Sequence, residues 1–220
     1  MMLSRAPAPF CLEAPQAHKK AYSERLSKQL AFEVADRLRQ VGFAGAKPLR
    51  NGPGEREFQG GLGPKKVDVT YSDERHGLIL AVSIKSINCP PFGKNLRNRF
   101  ADLCTEAITL HMRFPYAVVC LLFAFPAQAD ADVTPGRPIS TFRKAMKLLA
   151  TIGGRNDHTD PAEKFEHVAL MLYDPANQGI QPWVRVFDAT TGAEFDEEDY
   201  PRRIRQIYDK RNPHAILGET

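Results

Sequence analysis

No two of the four cysteines (Cys11, Cys89, Cys104 and Cys120) form a Cys-x-x-Cys pair, and the six histidines do not gather around them. That absence argues against a zinc site and a disulfide framework, and it points to a reducing compartment, the cytoplasm. Long apolar runs are also lacking. The longest, Tyr116 to Ala127, falls well short of the ~20 residues of a membrane-crossing helix. The N-terminus carries Arg5 and several prolines but no continuous apolar stretch, which makes a poor signal peptide. Gly60 to Lys66 is glycine-rich, yet it lacks the Gly-Lys-Ser/Thr ending of a phosphate loop and leads into a strand. A Gly-x-Ser-x-Gly elbow is missing as well, which removes the usual serine-hydrolase signature.

Acidic residues are absent from one long stretch. Between Arg75 and Ala101 there is no aspartate or glutamate, while Arg75, Lys85, Lys94, Arg97 and Arg99 fall inside. The net charge of +4 is modest, so this local bias is the more informative quantity. A second basic run comprises Arg137, Arg143, Lys144, Lys147 and Arg155, and a third comprises Arg202, Arg203, Arg205, Lys210 and Arg211. Basic clusters usually form solvated surface, but one beside a cation site suits a polyanionic substrate.

What is present begins with a helix. Tyr22, Leu26, Leu30, Val34, Leu38 and Val41 recur at helical spacing, which predicts a helix over 18–41. Residues 1–17 read as a loose arm, and the glycine- and proline-rich segment 42–64 reads as a surface loop. A hairpin is expected over 66–87, a helix over 94–111, a buried strand over 116–125 and a helix over 140–152 capped by Ser140 or Thr141. Val168 to Tyr173 and Trp183 to Phe187 form a second expected hairpin across Asp174 to Gln181, followed by a basic helix over 201–210. Residues 18–220 thus read as a single α/β domain, with a core over 20–125 and an extension over 126–220.

The first hairpin carries the chemistry. If Asp73 to Gly77 turn the chain, Asp68 falls opposite Ser83 and Thr70 opposite Ala81. Side chains alternate faces along a strand, so Asp68, Ser83 and Lys85 share one face, and Val67, Val69, Val82 and Ile84 share the other. A carboxylate beside an ammonium is the minimum for holding a hard cation and orienting a water. A plain cross-strand ion pair would explain the two residues singly and contribute less than ~1 kcal/mol if exposed. It leaves unexplained the helix that follows, where Lys94-Asn95-Leu96-Arg97-Asn98-Arg99 offers donors of the kind that grip phosphates. One carboxylate holds Mg²⁺ poorly, so a second fixed oxygen donor is required. His111 lies near the apolar face of the same helix and reads as a structural residue.

Asp68, then Ser83-Ile84-Lys85, with Glu33 on a preceding helix and a basic helix following, resembles the PD-(D/E)xK nucleases, the superfamily of restriction endonucleases. The resemblance covers roughly residues 20–125 and implies a mixed central sheet flanked by helices, here with a C-terminal hairpin and basic helix appended. Val67 stands where the family often has proline. Ser83 stands at its acidic position, and some members with serine there take the carboxylate from the next helix. Glu106 is the candidate, at the border of the apolar stripe of Leu96, Phe100, Leu103, Ala107 and Leu110, whereas Asp102 projects toward solvent.

The resemblance implies a Mg²⁺-dependent DNA endonuclease of restriction or defence type, with Mn²⁺ able to substitute. Asp68, Glu106 and the main-chain carbonyl of Ile84 would hold the metal. Lys85 would orient the attacking water, and Glu33 would complete the outer shell. Lys94, Asn95, Arg97 and Arg99 would contact phosphates, and the later basic runs would add DNA grip or a dimer contact. Products would carry 5′-phosphate and 3′-hydroxyl ends. The expected partner is double-stranded DNA, cut by a homodimer with no membrane attachment. The alternatives are a non-catalytic nucleic-acid-binding module of the same fold and an α/β interaction domain with a protein partner.

Overall fold

The computed structural model of the chain describes residues 15–52, 54–174, 184–213 and 217. Helix α1 (Gln16–Gln40) leads into a two-stranded ribbon, β1 (Arg56–Gln59) and β2 (Pro64–Val67). Strands β3 (Val69–Asp73) and β4 (Gly77–Ser86), helix α2 (Leu96–Arg113) and strand β5 (Val118–Pro126) follow. Helix α3 (Thr141–Ala150), strands β6 (His167–Tyr173), β7 (Val184–Asp188) and β8 (Glu194–Phe195), and helix α4 (Asp199–Arg211) complete the order. Strands β3 to β8 form one mixed sheet in sequence order. The β4–β5 and β5–β6 pairs are parallel and the other neighbours antiparallel. The two parallel steps are spanned by α2 and α3, as parallel pairing requires a long crossover.

Burial on both faces explains why β5 and β6 read as unbroken apolar runs: every residue of each is buried. One core lies between the sheet and α1 with α4, built on Leu26, Leu30, Val34, Val69, Val82, Ile84 and Ile204. The other lies between the opposite face and α2 with α3, built on Val67, Ala81, Leu103, Leu110, Leu121 and Leu149. Ser140 caps α3, its hydroxyl accepting from the Arg143 N–H at 3.2 Å. No helix among the described residues is long and apolar enough to cross a membrane.

The expected register of the first hairpin is found, with Val69 opposite Val82 and Thr70 opposite Ala81. A bulge at Tyr71–Ser72 then shifts the pairing, so that Asp73 lies opposite Gly77. The expected first strand is nevertheless two strands. The chain bends at Asp68, so Val67 packs on the α2 side and Val69 on the α1 side, which corrects the shared face expected for those two valines. Val67 pairs instead with Arg56, within the segment expected to be a loop. Strand β1 escaped notice because Arg56-Glu57-Phe58-Gln59 shows a single apolar residue. A 3-10 turn, Phe92–Asn95, precedes α2 where helix was expected to begin, and β8 was not anticipated. Residues 1–14 of the expected arm, and Trp183 with most of the turn before it, lie outside the described residues.

Two of the expected surface cations are interior. Glu166 is buried, its Oε1 accepting from Arg155 at 2.8 Å and from Arg211, and its Oε2 accepting from the Val119 N–H at 2.7 Å. His111 stands alongside, with Nε2 3.3 Å from Oε2 and Nδ1 donating to the Ala162 carbonyl at 2.9 Å. Burial pushes the Glu166 carboxyl up, but His111, the Val119 N–H and Arg155 together hold it below its ordinary value. Arg155 and Arg211, assigned above to basic surface runs, therefore tie α4 to the sheet. Of the other C-terminal arginines, Arg202 pairs locally with Asp199 at 2.8 Å and Arg205 with Asp209 at 2.7 Å, while Arg203 reaches back to Asp188 at 3.8 Å.

His167, at the start of β6, supplies a pH prediction. Burial lowers its pKa from 6.5 to about 4, opposed by Asp188 at 3.6 Å and reinforced by Arg203. Below pH 6.5 the unfolded chain then binds a proton that the folded chain refuses, so stability falls as pH drops from 6.5 to 4. The loss should reach roughly 3 kcal/mol at pH 4. Urea unfolding across that range, compared with His167→Gln, checks it, and parallel pH profiles for the two proteins would refute it.

Candidate functional site

The bend that splits the expected strand creates the site. With β3 beginning at Val69, the ladder to β4 ends there, and the Ile84 N–H has no strand partner on that side. Asp68 fills the place, its Oδ2 accepting from the Ile84 N–H at 2.7 Å. An extended residue directs its N–H and C=O to the same side, so the Ile84 carbonyl also faces this open edge. Lys85, the next residue, points to the α2 face, and its Nζ lies 3.6 Å from Asp68 Oδ2.

The third group arrives from α2. Glu106 lies on the buried stripe between Leu103 and Ala107 with its side chain only 1 % exposed, and its Oε2 is 3.3 Å from Lys85 Nζ. Asp68 and Glu106 are thus both within 3.6 Å of one ammonium nitrogen. Ser83, also buried, places its hydroxyl beside the Glu106 carboxylate. Asp102 is exposed and pairs with Arg99 at 3.6 Å.

Lys65 is a member that the sequence did not reveal. Its Nζ lies 2.9 Å from Glu106 Oε2. Lys65 stands opposite Phe58 in the ribbon and shares a face with Val67, two residues on, which is buried on the α2 side. The ribbon is seated on α2 through its turn: the Gly61 N–H donates to the Thr109 carbonyl at 2.8 Å. A Cβ at Gly60 would lie 2.6 Å from that same carbonyl oxygen, so only glycine permits the approach. The available signal was this i, i+2 relation to Val67, which became usable only once the bend at Asp68 was known.

The charges are mutually adjusted. Burial raises the pKa of Asp68, and Lys85 with the Ile84 N–H only partly offsets it. Burial also pushes Glu106 up, but Lys85 and Lys65 outweigh it and leave the carboxyl below its ordinary value. For Lys85 burial acts downward, yet Glu106 and Asp68 overcome it and raise the pKa, so the side chain is a firmly held ammonium. Two anions and two cations in a partly buried edge compensate one another, which permits ionised groups there at all.

Glu33 does not join them. Its carboxylate binds Arg50 at 2.8 Å and Gln29 at 2.9 Å. The α1 residue that meets the end of β4 is Ser23, its hydroxyl 3.4 Å from that of Ser86. Glu33 is ten residues farther along, about 15 Å by helical rise, and α1 covers the opposite face of the sheet from Lys85. The outer-shell role expected for Glu33 is corrected on that geometry. Lys94, Asn95, Arg97 and Arg99 are all exposed, on the 3-10 turn and the first turn of α2.

No family model matches the sequence, and no curated protein matches it. Among solved structures the chain is similar to the central domain of yeast acetyl-CoA carboxylase at 9 % identity and a TM-score of 0.37, over 83 % of this chain. The chain spans about a quarter of that protein's length, 26 %. A likeness this slight bears on neither fold nor function, and the site is interpreted from its own geometry.

Proposed function

We propose that the chain is a Mg²⁺-dependent endonuclease of restriction-endonuclease-like fold, of restriction or defence type, hydrolysing DNA phosphodiester bonds. The observation that carries this is the meeting of Asp68, Lys85 and Glu106 at the open edge of β4, with Glu106 standing in for the acid missing at Ser83. The donor set fits a hard cation such as Mg²⁺: two carboxylates and the Ile84 carbonyl, all oxygen. Glu106 Oε2 is held by Lys65 and Lys85, which leaves Oε1 as the oxygen free of an ion pair among the described residues. A cation held there supplies charge stabilisation at the phosphate and lowers the pKa of a bound water.

The chain's own groups do the rest. Lys85, held as an ammonium, can orient the attacking water and stabilise negative charge developing on the phosphate; it cannot serve as the base while protonated. Lys65 holds the Glu106 carboxylate ionised in a buried setting. Lys94, Arg97 and Arg99 present exposed cations on the same face as α2 for backbone phosphates. Cutting of both strands calls for two centres, hence a homodimer.

A second reading is a non-catalytic nucleic-acid-binding module of the same fold. Among the described residues no three His, Cys, Asp or Glu side chains gather into one metal-holding group, and Lys65 with Lys85 already neutralises Glu106. Incubation of the purified chain with plasmid and linear DNA, in Mg²⁺, Mn²⁺ and chelator, separates the two. Metal-dependent cutting is expected, and Glu106→Gln is expected to raise the Mg²⁺ concentration for half-maximal cutting at least about 10-fold, since it removes a charged ligand. Absence of cutting on DNA and RNA with every metal tried would sink the enzymatic reading.

A further inference from the structure

A cleft of about 420 Å³ opens where α1 begins, between its first turns, the loop following β4 and the turn leading into α2. Four of its lining residues are cations, Lys19, Lys20, Lys94 and Arg99, and none is acidic. Both helices that start at this cleft lack a side-chain cap and any acidic residue in the first turn, which leaves their N-terminal N–H groups favourable to negative charge.

The floor is polar and built from the interior outward. The hydroxyl of Tyr173, which is buried, donates to Asn88 Oδ1 at 3.0 Å and so fixes the amide. The Asn88 Nδ2 then donates to Ser23 Oγ and to Ser86 Oγ, each at 3.0 Å. Both serine oxygens accept from the same amide and lie 3.4 Å apart, so one hydroxyl hydrogen bridges the pair and the other is left to donate toward the cleft. A polar floor with one hydroxyl donor, under a rim of four cations and no carboxylate, matches a ligand rich in acceptor oxygens and negative charge, which is the chemistry of phosphate.

The cleft adjoins the site described above. Ser86 follows Lys85 directly, so their Cα atoms are about 3.8 Å apart while their side chains point to opposite faces. A chain of phosphates with one group at Lys85 would have its neighbour pass around the end of β4 toward Ser86. The volume lies within the ~300–1,000 Å³ of small-ligand sites, room for one or two nucleotides of a single strand and too little for a duplex.

We infer that this cleft is a phosphate-binding subsite for one strand of nucleic acid, seating the backbone next to the bond held at Asp68, Lys85 and Glu106. The inference rests on the nuclease reading for the position of that bond, but the binding it describes is measurable without cutting. The test is fluorescence anisotropy of the full chain in chelator, with a labelled oligothymidylate, a blunt duplex of equal length and inorganic tripolyphosphate as competitor.

The variants are Lys19→Ala/Lys94→Ala and Ser86→Ala, with Arg113→Ala/Lys164→Ala, two cations in none of the basic runs named above, as the control. The double cleft variant should bind the single strand about 10-fold or more weakly, and the slope of log affinity against log salt should fall by about 1.4, as two lost contacts to a single strand predict. Ser86→Ala should weaken the strand a few-fold at unchanged salt slope, and the control should change neither. Strand binding within two-fold of the parent in the cleft variants would overturn the subsite. So would equal losses for the duplex, or displacement by tripolyphosphate at matched phosphate concentration. If these losses appear while no metal supports cutting, the subsite stands and the nuclease reading falls. If cutting is observed and the losses are absent, the subsite alone falls.

Discussion

Lys85→Ala is expected to reduce metal-dependent DNA cutting by at least about 10²–10³-fold, the usual cost of losing one preorganised charge-stabilising donor. Its ammonium is shared by Asp68 and Glu106 at 3.6 and 3.3 Å, so nothing nearby can replace it in both contacts. Lys65 reaches Glu106 alone among the two carboxylates. Asp68→Ala should abolish cutting to the same degree, since it removes both a metal ligand and the acceptor that closes the β4 edge at Ile84.

The two substitutions differ in their effect on the protein itself. Lys85→Ala leaves two partly compensated carboxylates, so the Glu106 pKa should rise, because Lys85 is the largest influence holding it down. Glu106 then contributes less stability above the ordinary glutamate pKa and less is lost on acidification, and a Lys85→Gln variant with intact far-UV and near-UV spectra separates lost chemistry from lost structure. Activity of either alanine variant within a few-fold of the parent would remove both residues from the proposed centre.

Glu166→Ala is expected to cost about 3–5 kcal/mol of stability, because it strands two buried guanidinium groups and a backbone N–H. For a chain of this length that corresponds to a fall in Tm of roughly 6–20 °C. Glu166→Gln should cost less, since its amide oxygen can still accept from the Val119 N–H. Glu33→Ala provides the contrast: the Glu33–Arg50 pair has side chains 20 % and 40 % exposed, and its loss should stay within about 1 kcal/mol. Thermal melts of the three variants decide the matter, and equal shifts for Glu166→Ala and Glu33→Ala would refute the clamp. The sign with pH follows from the lowered carboxyl: Glu166 stabilises above the ordinary glutamate pKa and loses that contribution as pH falls through its depressed value.

The sequence by itself determined the local parts. Parity along two strands placed Thr70 opposite Ala81 and Lys85 on the same face as Ser83, because strand alternation is a property of neighbouring residues. Helical spacing located α1, α2 and α3 and set Glu106 on the border of an apolar stripe. The unbroken apolar run correctly marked β5 as a strand buried on both faces.

Tertiary structure decided the rest. Glu106 and Glu33 look alike on their helices, but α2 and α1 cover opposite faces of the sheet, and only one face carries Lys85. Arg155 and Arg211 resemble other cations in basic runs until α4 brings Arg211 alongside Arg155 at Glu166, just before β6. Lys65 reached the site through a bend at Asp68 that no local periodicity encodes. Periodicity reports which way a side chain points relative to its own element; which elements meet is set by how both faces of the sheet are covered.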